Sequence, residues 1–196
     1  LGFHHVDSGS LYRAATATQL ERESNPERWT ENTVLAEARR VTFVPDVTTF
    51  VPLIDDAPCD ELLRGIEVTR NVSRVATMPR VREWVNAQVR RARESKNVVV
   101  DGRDIGTVVF PNADLKVFLV ADPWERARRR LIQRLGRHPN DEEIAAETEL
   151  LVKRDAKDAT QTVQAADAVL IDTTYLTQEE QVERIVALAK AAGRSP

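Results

Sequence analysis

The segment Asp101-Gly102-Arg103-Asp104-Ile105-Gly106-Thr107-Val108-Val109-Phe110-Pro111 puts two carboxylates, one guanidinium and two glycines into its first six residues. It follows directly on the apolar run Val98-Val99-Val100. In open parallel sheets, ligands bind outside the carboxyl ends of strands. An arginine placed there can grip a phosphate with both arms of its fork. The Asp104 carboxylate can accept hydrogen bonds from the amino group of a base. A plain polar turn after a strand has the same composition, and spacing alone leaves both readings open.

Four further groups carry charge in suggestive places. Asp7-Ser8-Gly9-Ser10-Leu11-Tyr12-Arg13 reads as a helix start, where backbone N–H groups face outward toward an anion. Arg13 adds a permanent charge there and Tyr12 a flat face for a base or sugar; an ordinary N-cap with an exposed arginine fits equally. Ser73-Arg74-Val75-Ala76-Thr77-Met78-Pro79-Arg80-Val81-Arg82 sets Ser73 and Arg82 across a helix break at Pro79, unless these arginines merely decorate a helix. Arg126, Arg130 and Arg134 recur every four residues and so share one helix face. Crowded like charges call for anionic partners, which acidic neighbours or a bound ligand can equally supply. Arg154 and Asp158 form an i, i+4 pair, which by itself is an ordinary surface ion pair worth at most about 1 kcal/mol.

These groups need a scaffold, and the periodicity describes one. The segments 97–101, 115–120 and 168–172, each built on a run of apolar residues (Val98–Val100, Val117–Val120 and Ala168–Ile171), read as strands covered on both faces, hence a parallel sheet. A helix is expected from about Leu11 to Glu23. Residues 41–54 read as a short β-hairpin within an inserted, mostly exposed subdomain. Pro79 opens a helix with Val81, Trp84, Val85 and Val89 on one face. Capping boxes are expected at Asp122 with Glu125, Asn140 with Glu143, and Thr177 with Glu180. The final helix carries Val182, Ile185, Val186 and Ala189 at helical spacing. Strands alternating with helices give an α/β sandwich.

Composition narrows the function. A net charge of −3 argues against a general nucleic-acid binder. One cysteine, Cys59, excludes an internal disulfide and suits a reducing cytoplasm. No apolar run is long enough to span a membrane, and Leu1–Val6 lacks the features of a signal peptide. His4, His5 and His138 with that one cysteine make no metal-ligand cluster, so no protein metal site is expected. Trp29, Trp84 and Trp124 read as packing residues.

Taken together, the stretches HHVDSGSLYR, SRVATMPRVRE, DGRDIGTVVFPNADLKVFL and KRDAKDA followed by AADAVLID resemble the bacterial cytidylate kinase family, in family order and with roughly family spacing. The resemblance touches most of the chain. It implies an α/β, P-loop kinase type three-layer sandwich with a central parallel sheet, one kinase domain over 1–196, an inserted CMP-binding subdomain at 41–76 and a lid at 134–160. The implied activity transfers the γ-phosphoryl group of ATP, used with Mg2+, to CMP or dCMP in a cytoplasmic monomer. A catalytically incompetent CMP-binding fragment or regulatory homologue is the alternative. Carried over, Ser8, Tyr12 and Arg13 lie at the CMP phosphate and sugar. Ser73, Arg82 and Asp104 read the cytosine edge. Arg103 and Arg154 hold the phosphate, Asp158 the sugar hydroxyl, and Arg126 and Arg130 face ATP from the lid side.

Two departures stand out. Many family members have an arginine three residues after the position of Asp158, where this chain has Gln161 and a shortened following stretch. No G-x-x-x-x-G-K-[ST] loop occurs between Leu1 and Pro196, and the only methionine is Met78. The phosphate-binding loop is therefore expected upstream of Leu1. The 196 residues made alone are expected to be inactive and poorly folded until about one strand–loop–helix is added.

Overall fold

The computed structural model describes residues 1–193. The chain packs as two units, Gly2–Gly102 and a second beginning at Arg103. Residues 41–76 lie wholly in the first and residues 134–160 wholly in the second.

The first unit opens with strand β1 (His4–Asp7), which runs straight into helix α1 (Ser8–Arg22). The helix starts at Ser8, three residues before the expected Leu11, because Asp7 takes the N-cap. Its side chain accepts from the Gly9 N–H at 2.8 Å. Leu11, Ala14, Ala15 and Ala17 make α1 the buried centre of the unit. A short 3-10 turn (Pro26–Arg28) leads to α2 (Glu31–Ala38). The hairpin expected at 41–54 forms as β2 (Val41–Pro45) and β3 (Phe50–Ile54), paired antiparallel, with a short third strand, β4 (Ala57–Pro58). Val41, Phe50 and Ile54 are buried, so this segment has a core-facing side rather than being mostly exposed. Asp55 and Asp56 make the turn between β3 and β4 in left-handed conformation, which aspartate tolerates better than most residues. Helices α3 (Asp60–Leu63), α4 (Ile66–Ala76) and α5 (Pro79–Ser95) follow. Val75 and Val81 join Ala15, Trp29 and Val34 in one cluster, with Tyr12, Met78 and Trp84 packed against it. Strand β5 (Val98–Asp101) closes the unit, parallel to β1 with Asp7 opposite Asp101.

The second unit contains a one-turn π-helix (Ile105–Val109), then β6 (Val117–Val120), α6 (Pro123–Leu135), α7 (Asp141–Asp158), β7 (Val169–Asp172) and α8 (Gln178–Ala191). Strands β6 and β7 pair parallel. Helices α6 and α7 form a hairpin around Ala127, Leu131, Ile144 and Leu151. The strands are parallel as expected, but their cover is incomplete. Val99, Leu119 and Leu170 remain exposed, because each pair holds two strands among the described residues. On α8 only Ala189 is buried and Val182 stands in solvent, so its apolar stripe is narrower in use than in sequence. Trp29 is buried and Trp84 packs beside it, whereas Trp124 is exposed.

The reciprocal capping boxes form at Asn140 with Glu143 and at Thr177 with Glu180. At α6, Asp122 caps alone, since the Glu125 carboxylate turns instead to Arg128 at 2.5 Å. Glu143 does double duty. Arg137 donates to its two oxygens at 2.5 and 2.9 Å, and the Asn140 N–H donates to it at 2.9 Å. The Arg137 bonds first, and the Asn140 N–H second, hold the Glu143 carboxyl down to about 2. A depressed carboxyl stabilises the fold above its unfolded value and loses that contribution as pH falls. Melting temperature is therefore expected to drop between about pH 5 and pH 2 by more in the wild type than in Glu143→Gln. Parallel pH curves for the two proteins would refute this.

Candidate active site

In the first unit, the ends of two parallel strands and the start of α1 come together. Asp7 and Asp101 are register partners at the last positions of β1 and β5. His5 lies 2.7 Å from Asp101 through Nε2 and Oδ1. Ser8 is buried, and its hydroxyl donates to the Asp101 carbonyl at 2.9 Å, tying the helix start to the end of β5. Crowding by neighbouring atoms, and then the Asp7 carboxylate, raise the Asp101 carboxyl, against the pull of His5. Its side chain still keeps 64% of its surface open, so solvent screens much of that shift.

The other expected residues of this unit are anchored on its helices. Arg13 leaves α1 to donate to the Leu63 carbonyl at 3.2 Å and the Thr69 hydroxyl at 3.1 Å. It thereby ties α1 to α3 and α4. Arg82 donates to the Ala76 carbonyl at 3.1 Å, bridging the break between α4 and α5 where Ser73 sits one turn earlier. The Tyr12 ring is half-buried and packs against the Trp29 cluster. A recess of about 790 Å³ in the same unit is lined by Glu21, Arg40, Asp55, Cys59, Asp60 and Glu61. Four carboxylates face it against one arginine, which suits phosphate poorly, and apart from Glu21 and Arg40 its lining falls within residues 41–76. Cys59 is buried at the start of α3, and burial pushes its thiol up.

In the second unit, two guanidinium groups meet one carboxylate. Arg103 donates through Nε to Asp158 Oδ2 at 3.3 Å, and Arg154 Nε lies 3.8 Å from the same oxygen. The i, i+4 pair expected on α7 is thus joined by an arginine 51 positions earlier than Arg154 in the chain. The turn that carries Arg103 and Asp104 is held by backbone. The Asp104 carbonyl accepts from Val108 N–H at 2.8 Å, and Phe110 N–H donates to Ile105 at 2.7 Å. π-Turns of this kind recur at functional sites.

Beside this group lies a cleft of about 470 Å³ lined by Arg103, Arg126, Arg129, Asp155, Phe118 and Thr162 among others. The arginine row on α6 finds its anions on α7. Arg126 donates to both oxygens of Asp155 at 2.5 and 3.1 Å. Arg130 and Arg134 each lie 3.0 Å from Glu147, whose side chain is only 7% exposed. Glu147, Leu151 and Asp155 are spaced by four, so an acidic stripe facing the arginine stripe was present in the sequence as a signal. Arg129 was less legible. Its Nη2 donates to the carbonyls of Thr173 and Thr174 at 2.5 and 2.7 Å, fixing the chain after β7.

Parallel strands with arginines gathered around a cleft are an arrangement that suits a phosphate-bearing ligand. The chain matches the cytidylate kinase family over residues 1–191. It is 35% identical to a cytidylate kinase of Limosilactobacillus reuteri over 95% of this chain and 83% of that protein. It is 37% identical to one of Limosilactobacillus fermentum over 94% of this chain and 83% of that protein. It is 39% identical to one of Desulfitobacterium hafniense over 96% and 82%. The chain belongs to the cytidylate kinase family, a family of nucleoside monophosphate kinases with the P-loop kinase type of α/β fold.

Proposed function

We infer that the protein transfers the γ-phosphoryl group of ATP to CMP or dCMP, giving CDP or dCDP, as a cytoplasmic monomer. The observation that carries this reading is the meeting of Arg103 and Arg154 at Asp158, with Asp104 next in the chain, in a member of this family. Phosphoryl transfer asks the protein for positioning and charge stabilisation more than for covalent chemistry. The attacking group is a phosphate oxygen of the nucleotide, so no general base is required.

Each side chain then has a task. Arg103 and Arg154 grip the acceptor phosphate, and Asp158, which holds both in place, takes the sugar hydroxyl. Ser8, Tyr12 and Arg13 serve the phosphate and sugar; Ser73, Arg82 and Asp104 serve the base. Residues 41–76 form the CMP-binding part and residues 134–160 the lid. Arg126 and Arg130 face ATP, released from Asp155 and Glu147 when a stronger anion arrives. Mg2+ supplies charge neutralisation on the phosphates when bound.

The test is turnover by the intact enzyme with ATP and CMP, dCMP, UMP or AMP. Cytosine nucleotides are expected to be preferred; equal turnover of AMP and CMP would overturn the reading. A single replacement sharpens it. Because Gln161 is neutral, Arg154 carries more of the phosphate charge, and Arg154→Ala is expected to cost about 100-fold in kcat/KM. A loss below about threefold, far short of a typical oxyanion contact, would contradict that role.

A further inference from the structure

Lys116 is an anomaly in the sequence, a lysine at the threshold of an all-apolar strand. The structure shows what it does there. Its side chain is only 8% exposed. The ammonium donates to the Pro111 carbonyl at 2.5 Å and lies 2.8 Å from both oxygens of Asp167. Its stem runs beneath Gly106. A Cβ added there would lie 3.2 Å from Lys116 Cδ and 3.7 Å from the Ala165 methyl, so the backbone rests closely on the stem. One side chain thus supports the middle of the π-turn, fastens its far end at Pro111, and links both to the segment entering β7.

Burying an ammonium is costly unless hydrogen bonds satisfy it. Here three oxygens do so, and the bonds with Lys116 hold the Asp167 carboxyl below its ordinary range. A lysine seeking only stability could leave its charge in water, as most do. The turn fixed in this way is the one that carries Arg103 and Asp104.

We propose that Lys116, braced by Asp167, is a positioning residue for cytidine nucleotide recognition, setting the placement of Arg103 and Asp104 through the turn from Ile105 to Pro111. This rests on the kinase reading above. The geometry makes the effect specific to the acceptor side. Arg126 and Arg130 sit on α6 and answer to Asp155 and Glu147, not to Lys116.

The test compares Lys116→Met, which keeps the stem and removes the ammonium, with Asp167→Asn, which keeps the ammonium and removes its counter-charge. Displacing a binding group by about an ångström can cost up to about 100-fold, so KM for CMP is expected to rise about tenfold or more in Lys116→Met. The preference for CMP over UMP should narrow, while KM for ATP stays within about twofold, since its phosphate contacts lie on other elements. Asp167→Asn should move CMP KM the same way by a smaller factor, and the double variant should be no worse than Lys116→Met alone. A lowered melting temperature with CMP KM and base preference intact would reduce Lys116 to a structural role and overturn the proposal. So would CMP and ATP KM values rising together. If Lys116→Met fails to fold, unchanged kinetics in Asp167→Asn would overturn it as well. Wild-type turnover of CMP, run alongside, reports separately on the kinase reading.

Discussion

Arg103→Lys is expected to lower kcat/KM for CMP by about 100-fold or more, the usual cost of losing one contact to charge developing in a transition state. Charge is kept in this replacement, so the loss isolates geometry. A guanidinium offers two parallel N–H groups to two phosphate oxygens, whereas an ammonium is a compact point charge on a flexible stem. In the structure Arg103 uses Nε toward Asp158 at 3.3 Å, and no hydrogen bond runs from its Nη atoms to Asp158. Those terminal N–H groups are what the proposed role directs at the phosphate. Arg103 is exposed, so its pair with Asp158 contributes at most about 1 kcal/mol and the melting temperature should hardly move. A large kinetic effect on an unchanged fold is therefore the expected signature. If Arg103→Lys kept near-normal kcat/KM for CMP, the phosphate role would be wrong. A loss that appeared equally in ATP KM would point to the wrong substrate.

Local chemistry was legible in the sequence, and longer-range contacts were less so. The three segments became strands over their uninterrupted apolar residues, Val98–Val100, Val117–Val120 and Val169–Ile171, and their parallel pairing followed from the helices between them. The caps at Asn140 and Thr177 were readable because a cap is settled within four residues. Asp122 misled, since Glu125 had a second suitor in Arg128 one turn on, and sequence cannot rank two partners at equal reach. The Arg103–Asp158 contact joins residues 55 apart and emerged only with the fold. The partners of the arginine row could have been found. Arginines at 126, 130 and 134 and carboxylates at 147 and 155 obey the same spacing, so a helical hairpin brings the stripes face to face. Lys116 could have been flagged too, because a lysine at the edge of a strand expected to be buried needs a reason. Its partner Asp167 and the Gly106 backbone above its stem required the structure.

Asp104→Asn is expected to remove most activity toward CMP and to narrow the preference for CMP over UMP. One group on the base edge makes the difference. Cytosine presents an amino donor where uracil presents a carbonyl acceptor. An ionised carboxylate only accepts, so it matches cytosine and leaves uracil with two acceptors facing each other. A site built to pair one polar group can reject the mismatched base by about 10⁴-fold. An asparagine amide can turn either its oxygen or its nitrogen toward the base, so it answers both and discriminates between neither. Asp104 is well suited to this work because its backbone is immobilised. Its carbonyl accepts from Thr107, Val108 and Val109 N–H groups at 3.3, 2.8 and 3.3 Å, which fixes where the side chain begins. The replacement is isosteric and leaves those backbone bonds untouched, so fold and ATP affinity should persist. The measurement is kcat/KM for CMP and for UMP in wild type and variant. An activity loss with the ratio unchanged would mean that Asp104 supports the site without reading the base, and the discriminating role would pass to Arg82 and Ser73. A ratio that collapses mainly through a gain on UMP would be the strongest support, since a merely damaged site loses both substrates together.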